Sequence, residues 1–213
     1  KPNQGGFGEV YRMRRLADGQ EVAVKFLLAR HAGNTDLAAR FQAEARAMEA
    51  VQKAGGHRNL LPFVEAGFDG DRALLVTDWA RAGTLHDQLR LHAGPLPLEP
   101  ALRWLRQTLD GLAAMHDAGW IHRDIKPSNL YLSGRDGDGG PLWIGDFGLA
   151  REPDGERLTK TQFGSPGTEG YSPPEQFLGH DQDARTDLYA WGATAFALLT
   201  GRVPPDAGAS VRE

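Results

Sequence analysis

The sequence contains no cysteine among its 213 residues. This absence excludes disulfide bonds and thiolate metal sites, and it leaves the cellular compartment open. No apolar run approaches the roughly 18 residues that a membrane-spanning helix needs, and stretches such as 193–199 fit a buried helix better. An excess of positive charge is also missing, because 24 basic residues stand against 28 acidic ones, for a net charge of −4. That balance argues against a nucleic-acid-binding protein and is ordinary for an enzyme.

The first 77 residues predict a small sheet with one helix. Asp18-Gly19 is a typical hairpin turn between two β-rich runs. A helical pattern covers 36–53 and ends near Gly55-Gly56. Strands are expected at the following places: around Val10 and Tyr11, over 21–28, around 61–68 and over 72–77.

After Gly83 the pattern becomes helical. Leucines recur at helical spacing from Leu98 to His116, and Gly119 stands where a helix commonly ends. Residues 186–200 are apolar on most sides, which is typical of a helix buried in a core. Two loops rich in glycine, proline or aspartate are expected at 133–141 and 152–167.

The most specific feature is the run Ile-His-Arg-Asp-Ile-Lys-Pro-Ser-Asn at 121–129, which Asp-Phe-Gly follows at 146–148. Asp124 can accept a proton from a hydroxyl, and Lys126 can neutralise charge on a transferring phosphate. Asn129 and Asp146 carry the hard oxygen ligands that Mg²⁺ prefers. The set indicates phosphoryl transfer, and the alternative of a charged surface loop does not explain the spacing.

This run resembles the catalytic loop of the eukaryotic-type protein kinases, on the serine/threonine side, and the resemblance covers nearly the whole chain. It implies an α+β, bilobal fold with a small antiparallel sheet lobe that carries one helix, and a larger, mostly helical lobe. The resemblance implies one partial kinase domain over 1–213. Its small lobe would be 1–77, its hinge 78–83 and its large lobe 84–213. We expect the large lobe to lack its last helices. The implied cofactors are ATP and Mg²⁺, with Mn²⁺ as an alternative.

The family's nucleotide loop, Gly-x-Gly-x-x-Gly-x-Val, resembles the residues at 3–10, with Asn3 at the first glycine. Glycines let backbone amides approach phosphate oxygens closely. Taken alone, the loop could equally be a plain hairpin turn. The resemblance implies ATP contacts from the following residues: Gly5, Gly6, Phe7, Gly8 and Val10.

Val22-Ala23-Val24-Lys25 resembles the family's lysine strand. Ala23 and Lys25 share a face of the strand, and the resemblance places Ala23 on adenine and Lys25 on the phosphates. Glu44 is the implied ion-pair partner of Lys25, while Glu49, the rival acid, points elsewhere on the helix.

A second strand end, 75–83, resembles the hinge that holds adenine, although a plain strand and glycine turn is the simpler interpretation of those residues alone. Thr77 would be the gatekeeper, and Asp78 and Ala80 would offer backbone groups to adenine. Tyr131 would form the floor under adenine, where the family usually has an aliphatic residue.

The segment between Asp-Phe-Gly and Pro-Pro-Glu resembles the activation segment. Thr168 would bond near Asp124 and Lys126 and favour serine or threonine acceptors. Arg123 would bind a phosphorylated residue of this segment; the candidates are Thr159, Thr161 and Ser165. The resemblance also implies structural roles for His122, under Phe147, and for Asp187, which would accept hydrogen bonds from the catalytic-loop backbone. We assign no metal to the other histidines.

These observations predict an ATP-dependent serine/threonine protein kinase of the bacterial type, with autophosphorylation. The alternatives are a pseudokinase that binds ATP as a scaffold, and a small-molecule phosphotransferase, which would lack the peptide-docking segment at 168–175. Expected partners are protein substrates and ATP, without nucleic acid or membrane contact within the chain, and the oligomeric state stays open. We expect a cytoplasmic location, alone or as the cytoplasmic domain of a larger protein.

Overall fold

The structure is a computed structural model, and it describes residues 3–4, 8–27, 35–134, 140–150, 168–178 and 180–205. The strands are β1 (Asn3–Gln4), β2 (Gly8–Arg14), β3 (Glu21–Leu27), β4 (Phe63–Asp69), β5 (Arg72–Asp78), β6 (Leu130–Leu132) and β7 (Leu142–Ile144). The helices are α1 (Thr35–Lys53), α2 (Leu85–His92), α3 (Leu98–Asp117), α4 (Pro174–Leu178) and α5 (Ala184–Thr200).

Five strands form an antiparallel sheet in the order β1-β2-β3-β5-β4. The alternation of side chains along β3 sets the two faces of this sheet. Val22, Val24 and Phe26 are buried in an apolar cluster of their own, so Ala23 and Lys25 lie on the opposite face. The predicted strands and the hairpin turn near Gly19 are confirmed in this sheet.

The main core lies between α1, the helical part and the short β6–β7 ribbon. Helix α3 passes so close to this ribbon that a Cβ on Gly111 would lie 2.8 Å from the Asn59 carbonyl oxygen and 2.9 Å from Ile144 Cδ1. The segment before β4 also pairs with the ribbon, because Leu61 N donates to Ile144 O at 2.8 Å and Ile144 N donates to Asn59 O at 2.9 Å. The ribbon thus connects the sheet to the helical part. Asn129 directly precedes β6, and Asp146 follows shortly after β7.

The elements differ from the predicted ones at several ends. Asp78, predicted as the first hinge residue, is the last residue of β5, because it pairs with Val22 of β3. Helix α5 begins two residues earlier than predicted, since the Asp183 side chain accepts a hydrogen bond from Arg185 N at 2.8 Å and caps it. Helices α2 and α4 were not predicted as separate elements. Helix α3 ends at Asp117, shortly before Gly119, and α5 ends at Thr200, and both ends match the predictions. Gly119 and Gly201, which follow these ends, have positive φ.

One side of helix α5 is buried, and the other side is exposed although it carries apolar side chains. Ala190, Ala197 and Leu198 are in the core, whereas Leu188 and Phe196 are 48% and 42% exposed. Among the helices that the structure describes, none is long and apolar enough to cross a bilayer.

Candidate active site

The predicted catalytic residues Asp124 and Lys126 lie on the loop between α3 and β6, and their side chains touch. Lys126 Nζ lies 2.8 Å from Asp124 Oδ2 and donates to Thr168 Oγ1 at 2.8 Å, while the Thr168 hydroxyl donates to Asp124 Oδ1 at 3.0 Å. Asn129 Nδ2 donates to the other carboxylate oxygen of Asp124 at 2.9 Å. The Asp124 carboxylate is therefore held in one orientation from three sides.

A buried carboxylate fixes the backbone of this loop from below. Asp187, at the start of α5, is fully buried and accepts hydrogen bonds from His122 N at 2.9 Å and Arg123 N at 2.7 Å. This is the contact that the resemblance implied. Sequence reasoning missed a third partner, His116, whose Nε2 lies 2.7 Å from Asp187 Oδ2, and nothing in the local sequence marks it. Arg123 has φ +70, a left-handed conformation that such residues adopt only where the surroundings hold it.

On the sheet side of the site, Lys25 of β3 meets two carboxylates. Its Nζ donates to Glu44 Oε1 and Oε2 at 2.9 and 2.8 Å, and to Asp146 Oδ1 at 3.3 Å. The predicted ion pair between Lys25 and Glu44 is therefore present. Glu49, the rival acid, is instead paired with Lys53 on the exposed face of α1 at 2.7 Å.

Glu44 is the exception on its side of α1. The other buried side chains that the structure describes in that helix, Phe41, Ala47, Met48 and Val51, are apolar, and Glu44 is only 4% exposed. Carboxylates are rarely buried unless they are paired. In the sequence, a glutamate at a core position of an amphipathic helix therefore indicates that the carboxylate has a cationic partner. Lys25 is that partner, and its charge offsets the cost of burying Glu44.

The charges of this cluster shift one another's pKa values. Burial alone would lower the pKa of Lys25, but Glu44 and Asp146 outweigh it and raise the pKa above its usual value. Burial raises the pKa of the Glu44 carboxyl, and the contact with Lys25 works against that shift. Lys25 lowers the pKa of Asp146, although burial opposes the change. Lys25 and Asp146 are thus both charged at neutral pH.

The predicted metal ligands lie on adjoining backbone segments, because Gly145 N donates to Asn129 O at 3.0 Å. One oxygen of Asp146 accepts from Lys25, and its Oδ2 accepts no hydrogen bond from any described residue. Within the described ranges, no group of three or more His, Cys, Asp or Glu side chains could hold a cation by itself. One carboxylate and one amide fit Mg²⁺, which usually keeps few protein ligands and takes the rest from water and substrate phosphates.

The predicted adenine contacts lie on the face of the sheet that carries Lys25, and the region between this face and the β6–β7 ribbon is called the cleft below. Ala23 and Thr77 stand opposite each other in the β3–β5 pairing, and Thr77 is buried. In the part of the chain that the structure describes, neither backbone polar group of Ala80 has a hydrogen-bond partner. Ala80 is only partly buried, so its N–H and C=O are open to a ligand. Val10 and Gly8 lie in β2, and Val10 pairs with Lys25.

His122 and Phe147 lie beneath the cleft, with ring centroids 5.4 Å apart. Phe147 belongs to the main core with Met48, and Phe63 packs against it, as the resemblance implied. Several other predicted residues lie outside the described ranges: Gly5, Gly6, Phe7, Thr159, Thr161 and Ser165.

A small antiparallel sheet joined to a helical part, with a lysine, an aspartate and an asparagine facing one cleft, defines the class of protein as a phosphotransfer domain of the α+β type. Comparison with known proteins agrees with this class: a protein kinase domain family model matches residues 3–211. The chain belongs to the protein kinase domain family, and the predicted fold class is confirmed.

Three curated relatives, all bacterial, are similar along most of the chain. Serine/threonine-protein kinase pkn2 of Myxococcus xanthus is 40% identical over 204 residues, which are 95% of this chain and 24% of that protein. Serine/threonine-protein kinase PknL of Mycobacterium bovis is 37% identical over 200 residues, covering 94% and 48% of the two chains. Serine/threonine-protein kinase Pkn1 of Myxococcus xanthus is 36% identical over 202 residues, covering 94% and 28%. The chain thus spans from about a quarter to about half of the length of these relatives.

Proposed function

We propose that the chain acts as a serine/threonine protein kinase domain, which transfers the γ-phosphate of ATP to serine or threonine hydroxyls of proteins. The observation that carries this proposal is the contact between Asp124, Lys126 and Thr168. A carboxylate held beside a lysine and a threonine can receive a substrate hydroxyl, orient it and accept its proton. The names of the relatives support the same activity.

In the proposed reaction, the acceptor oxygen of the substrate forms a bond to the γ-phosphorus, and the bond from this phosphorus to the β–γ bridging oxygen breaks. The hydroxyl proton passes to Asp124, and ADP leaves. Lys126 offsets the negative charge of the transferring group, and Lys25 holds the α- and β-phosphates. When bound by Asn129 and Asp146, Mg²⁺ supplies further neutralisation of phosphate charge.

Binding of the rest of ATP is assigned to the cleft between the sheet and the ribbon. The backbone of Asp78 and Ala80 would hold the adenine edge, while Ala23, Thr77 and Val10 would line its pocket. The loop at 5–8 would cover the phosphates. These roles are proposals that agree with the positions of the described members.

The test is phosphate transfer from labelled Mg-ATP to a serine- and threonine-containing protein. We expect Asp124→Asn to lower the rate by a factor of about 10² to 10⁴ while ATP still binds. The matched control is Asp117→Asn, an exposed aspartate at the end of α3, which should transfer phosphate like the original chain. Analysis of the labelled amino acids should show phosphoserine or phosphothreonine.

Two outcomes would contradict the proposal. Tight ATP binding without any transfer would favour the pseudokinase alternative. Transfer to a small molecule with none to protein would favour a small-molecule phosphotransferase and would remove the docking role of Thr168.

The activation-segment residues Thr159, Thr161 and Ser165 are proposed as sites of autophosphorylation. Their expected partner, Arg123, is buried and donates from Nε to the Gln182 side chain. Mass spectrometry after incubation with Mg-ATP should find phosphate on Thr159 or Thr161. Phosphate on none of the three would contradict this part of the proposal.

A further inference from the structure

Arg123, the residue before Asp124, has a backbone that the surrounding structure must hold in place. The residue is buried, and its φ of +70 lies in the left-handed region, which residues with a Cβ keep only where their surroundings fix it. Because Asp124 follows directly, a rotation about the Arg123 backbone would move the Asp124 carboxylate. The contacts that fix Arg123 therefore decide where this carboxylate stands.

Hydrogen bonds hold both peptide groups that flank the Arg123 Cα. The N–H of Arg123 donates to Asp187 Oδ1 at 2.7 Å, and its carbonyl oxygen accepts from Gln176 Nε2 at 3.2 Å. That carbonyl shares a planar peptide group with Asp124 N, which donates to His122 Nδ1 at 3.2 Å. One peptide is thus fixed by the buried anchor, and the peptide that leads into Asp124 is fixed by Gln176 and His122.

The Gln176 side chain is a poor choice for stability alone. Its Oε1 atom is buried and has no hydrogen-bond partner among the described residues, and a buried acceptor without a partner is destabilising. A methionine would have a similar length and flexibility without this acceptor. The donor on Nε2 is therefore what the amide adds at this position, and the Arg123 carbonyl receives it.

Gln176 also belongs to the stretch of chain that carries Thr168. It lies in α4, which follows the turn in which the N–H of Ser172 donates to Thr168 O at 3.1 Å. The Thr168 hydroxyl donates to Asp124 Oδ1 at 3.0 Å. This stretch therefore meets the catalytic loop at two points, the Asp124 carboxylate and the Arg123 carbonyl.

We propose that Gln176 is a positioning residue, whose amide holds the peptide between Arg123 and Asp124 and so keeps the Asp124 carboxylate aligned with an acceptor hydroxyl that arrives beside Thr168. The inference rests on the proposed function, because that function assigns proton acceptance to Asp124. Gln176 acts through the backbone of the catalytic loop rather than by touching a reactant. Its loss should therefore lower the rate of transfer and leave ATP binding unchanged.

The experiment compares kcat and KM for transfer from Mg-ATP to a serine- and threonine-containing protein in the unmodified chain and in Gln176→Met. We expect kcat to fall about tenfold and the KM for ATP to stay the same. The melting temperature should change by no more than about 2–4 °C. The matched control is Gln42→Met, which replaces an exposed glutamine of α1 and should change none of the three quantities.

The outcomes separate this inference from the proposed function. An unchanged kcat in Gln176→Met would overturn the inference and leave the proposed function intact. A higher KM for ATP or a larger fall in the melting temperature would show a general structural role and would also overturn it. Gln176→Glu keeps the size but has no amide donor, so it should be as slow as Gln176→Met; the activity of the unmodified chain would show that shape alone matters. An unmodified chain without any transfer would overturn the proposed function and the inference with it.

Amide hydrogen exchange tests the position of the loop without phosphate transfer. Mass spectrometry of a peptide that covers 121–129 should show exchange about three- to tenfold faster in Gln176→Met, because the Arg123 carbonyl is no longer held. Gln42→Met should exchange like the unmodified chain. Unchanged exchange in Gln176→Met would show that Gln176 does not hold this peptide and would overturn the inference.

Discussion

The two halves of the candidate site use the same pair of groups, a lysine and a carboxylate, but they are built differently. In the catalytic loop, Asp124 and Lys126 are two residues apart, and the backbone of the loop places both. On the sheet side, Lys25 and Glu44 are 19 residues apart on β3 and α1, and only their side chains join them. The loop is therefore fixed by backbone hydrogen bonds, whereas the lysine pair depends on how a helix packs on a sheet.

Because of this difference, substitutions in the two halves should affect stability and activity to different extents. The catalytic loop is anchored by Asp187, whose carboxylate accepts hydrogen bonds from the backbone N–H groups of His122 and Arg123 and contacts His116. Loss of that anchor should damage folding as well as transfer. In the Lys25–Glu44 pair, Glu44 is buried, but Lys25 is only partly buried and has a second partner in Asp146. Loss of Glu44 should therefore damage transfer more than folding.

The largest effect is expected from Asp187→Asn. An amide has one acceptor oxygen instead of two, so it would leave at least one of the N–H groups of His122 and Arg123 unpaired in the core. We expect the free energy of unfolding to fall by about 3 kcal/mol and phosphate transfer to be lost. Urea unfolding followed by circular dichroism measures the first, with Asp117→Asn as the control. A loss under about 1 kcal/mol would show that the loop does not need its buried anchor.

Glu44→Gln tests the other half of the comparison. The glutamine keeps the shape and one acceptor oxygen but removes the charge that positions Lys25. We expect transfer to fall about ten- to a hundredfold, mainly in kcat, and the free energy of unfolding to change by no more than about 1–2 kcal/mol. Glu49→Gln on the same helix is the matched control, because its exposed pair with Lys53 is worth only about 0.3–0.5 kcal/mol. Equal rates for the two variants would remove Glu44 from the site.

Two helix glycines test the packing, because their substitution by alanine should change the free energy of unfolding in opposite directions. Gly111→Ala in α3 places a methyl group against Asn59 and Ile144, and we expect the free energy of unfolding to fall by about 1–3 kcal/mol. Gly192→Ala in α5 meets nothing within 4 Å, and alanine is the better helix former, so we expect a gain of about 0.5–1 kcal/mol. Urea unfolding of both variants measures the difference. Equal signs would mean that α3 does not lie as close to the ribbon as described.

The same contrast explains how far the sequence could predict the molecule. The catalytic loop was predicted residue by residue because Asp124, Lys126 and Asn129 are neighbours in the chain, so their spacing alone carries the chemistry. The strands and long helices followed from periodicity. Lys25 and Glu44 could be joined only through the resemblance, since no local pattern relates a strand residue to a helix residue 19 positions later.

The long-range contacts that the resemblance did not imply escaped prediction. The contact of His116 with Asp187 spans 71 residues, and a Cβ on Gly145 would lie 2.9 Å from Tyr131 Cε2, although the two residues are 14 positions apart. The left-handed conformations of Arg123 and Asp146, with φ +70 and +62, arise at residues without glycine's freedom. The surrounding structure imposes them, and it is not visible in local propensity.

The smallest loss of stability is expected at the first turn of α2. Thr84 Oγ1 accepts a hydrogen bond from Asp87 N at 3.2 Å, and the Asp87 side chain accepts one from Thr84 N at 2.9 Å. This capping box is a local backbone device like the catalytic loop, but it is exposed, so water can replace what is lost. We expect Thr84→Ala to lower the free energy of unfolding by about 1 kcal/mol and Thr84→Ser, which keeps the acceptor, to cost much less. A loss from Thr84→Ala as large as that from Asp187→Asn would contradict the comparison, because local caps would then matter as much as the buried anchor.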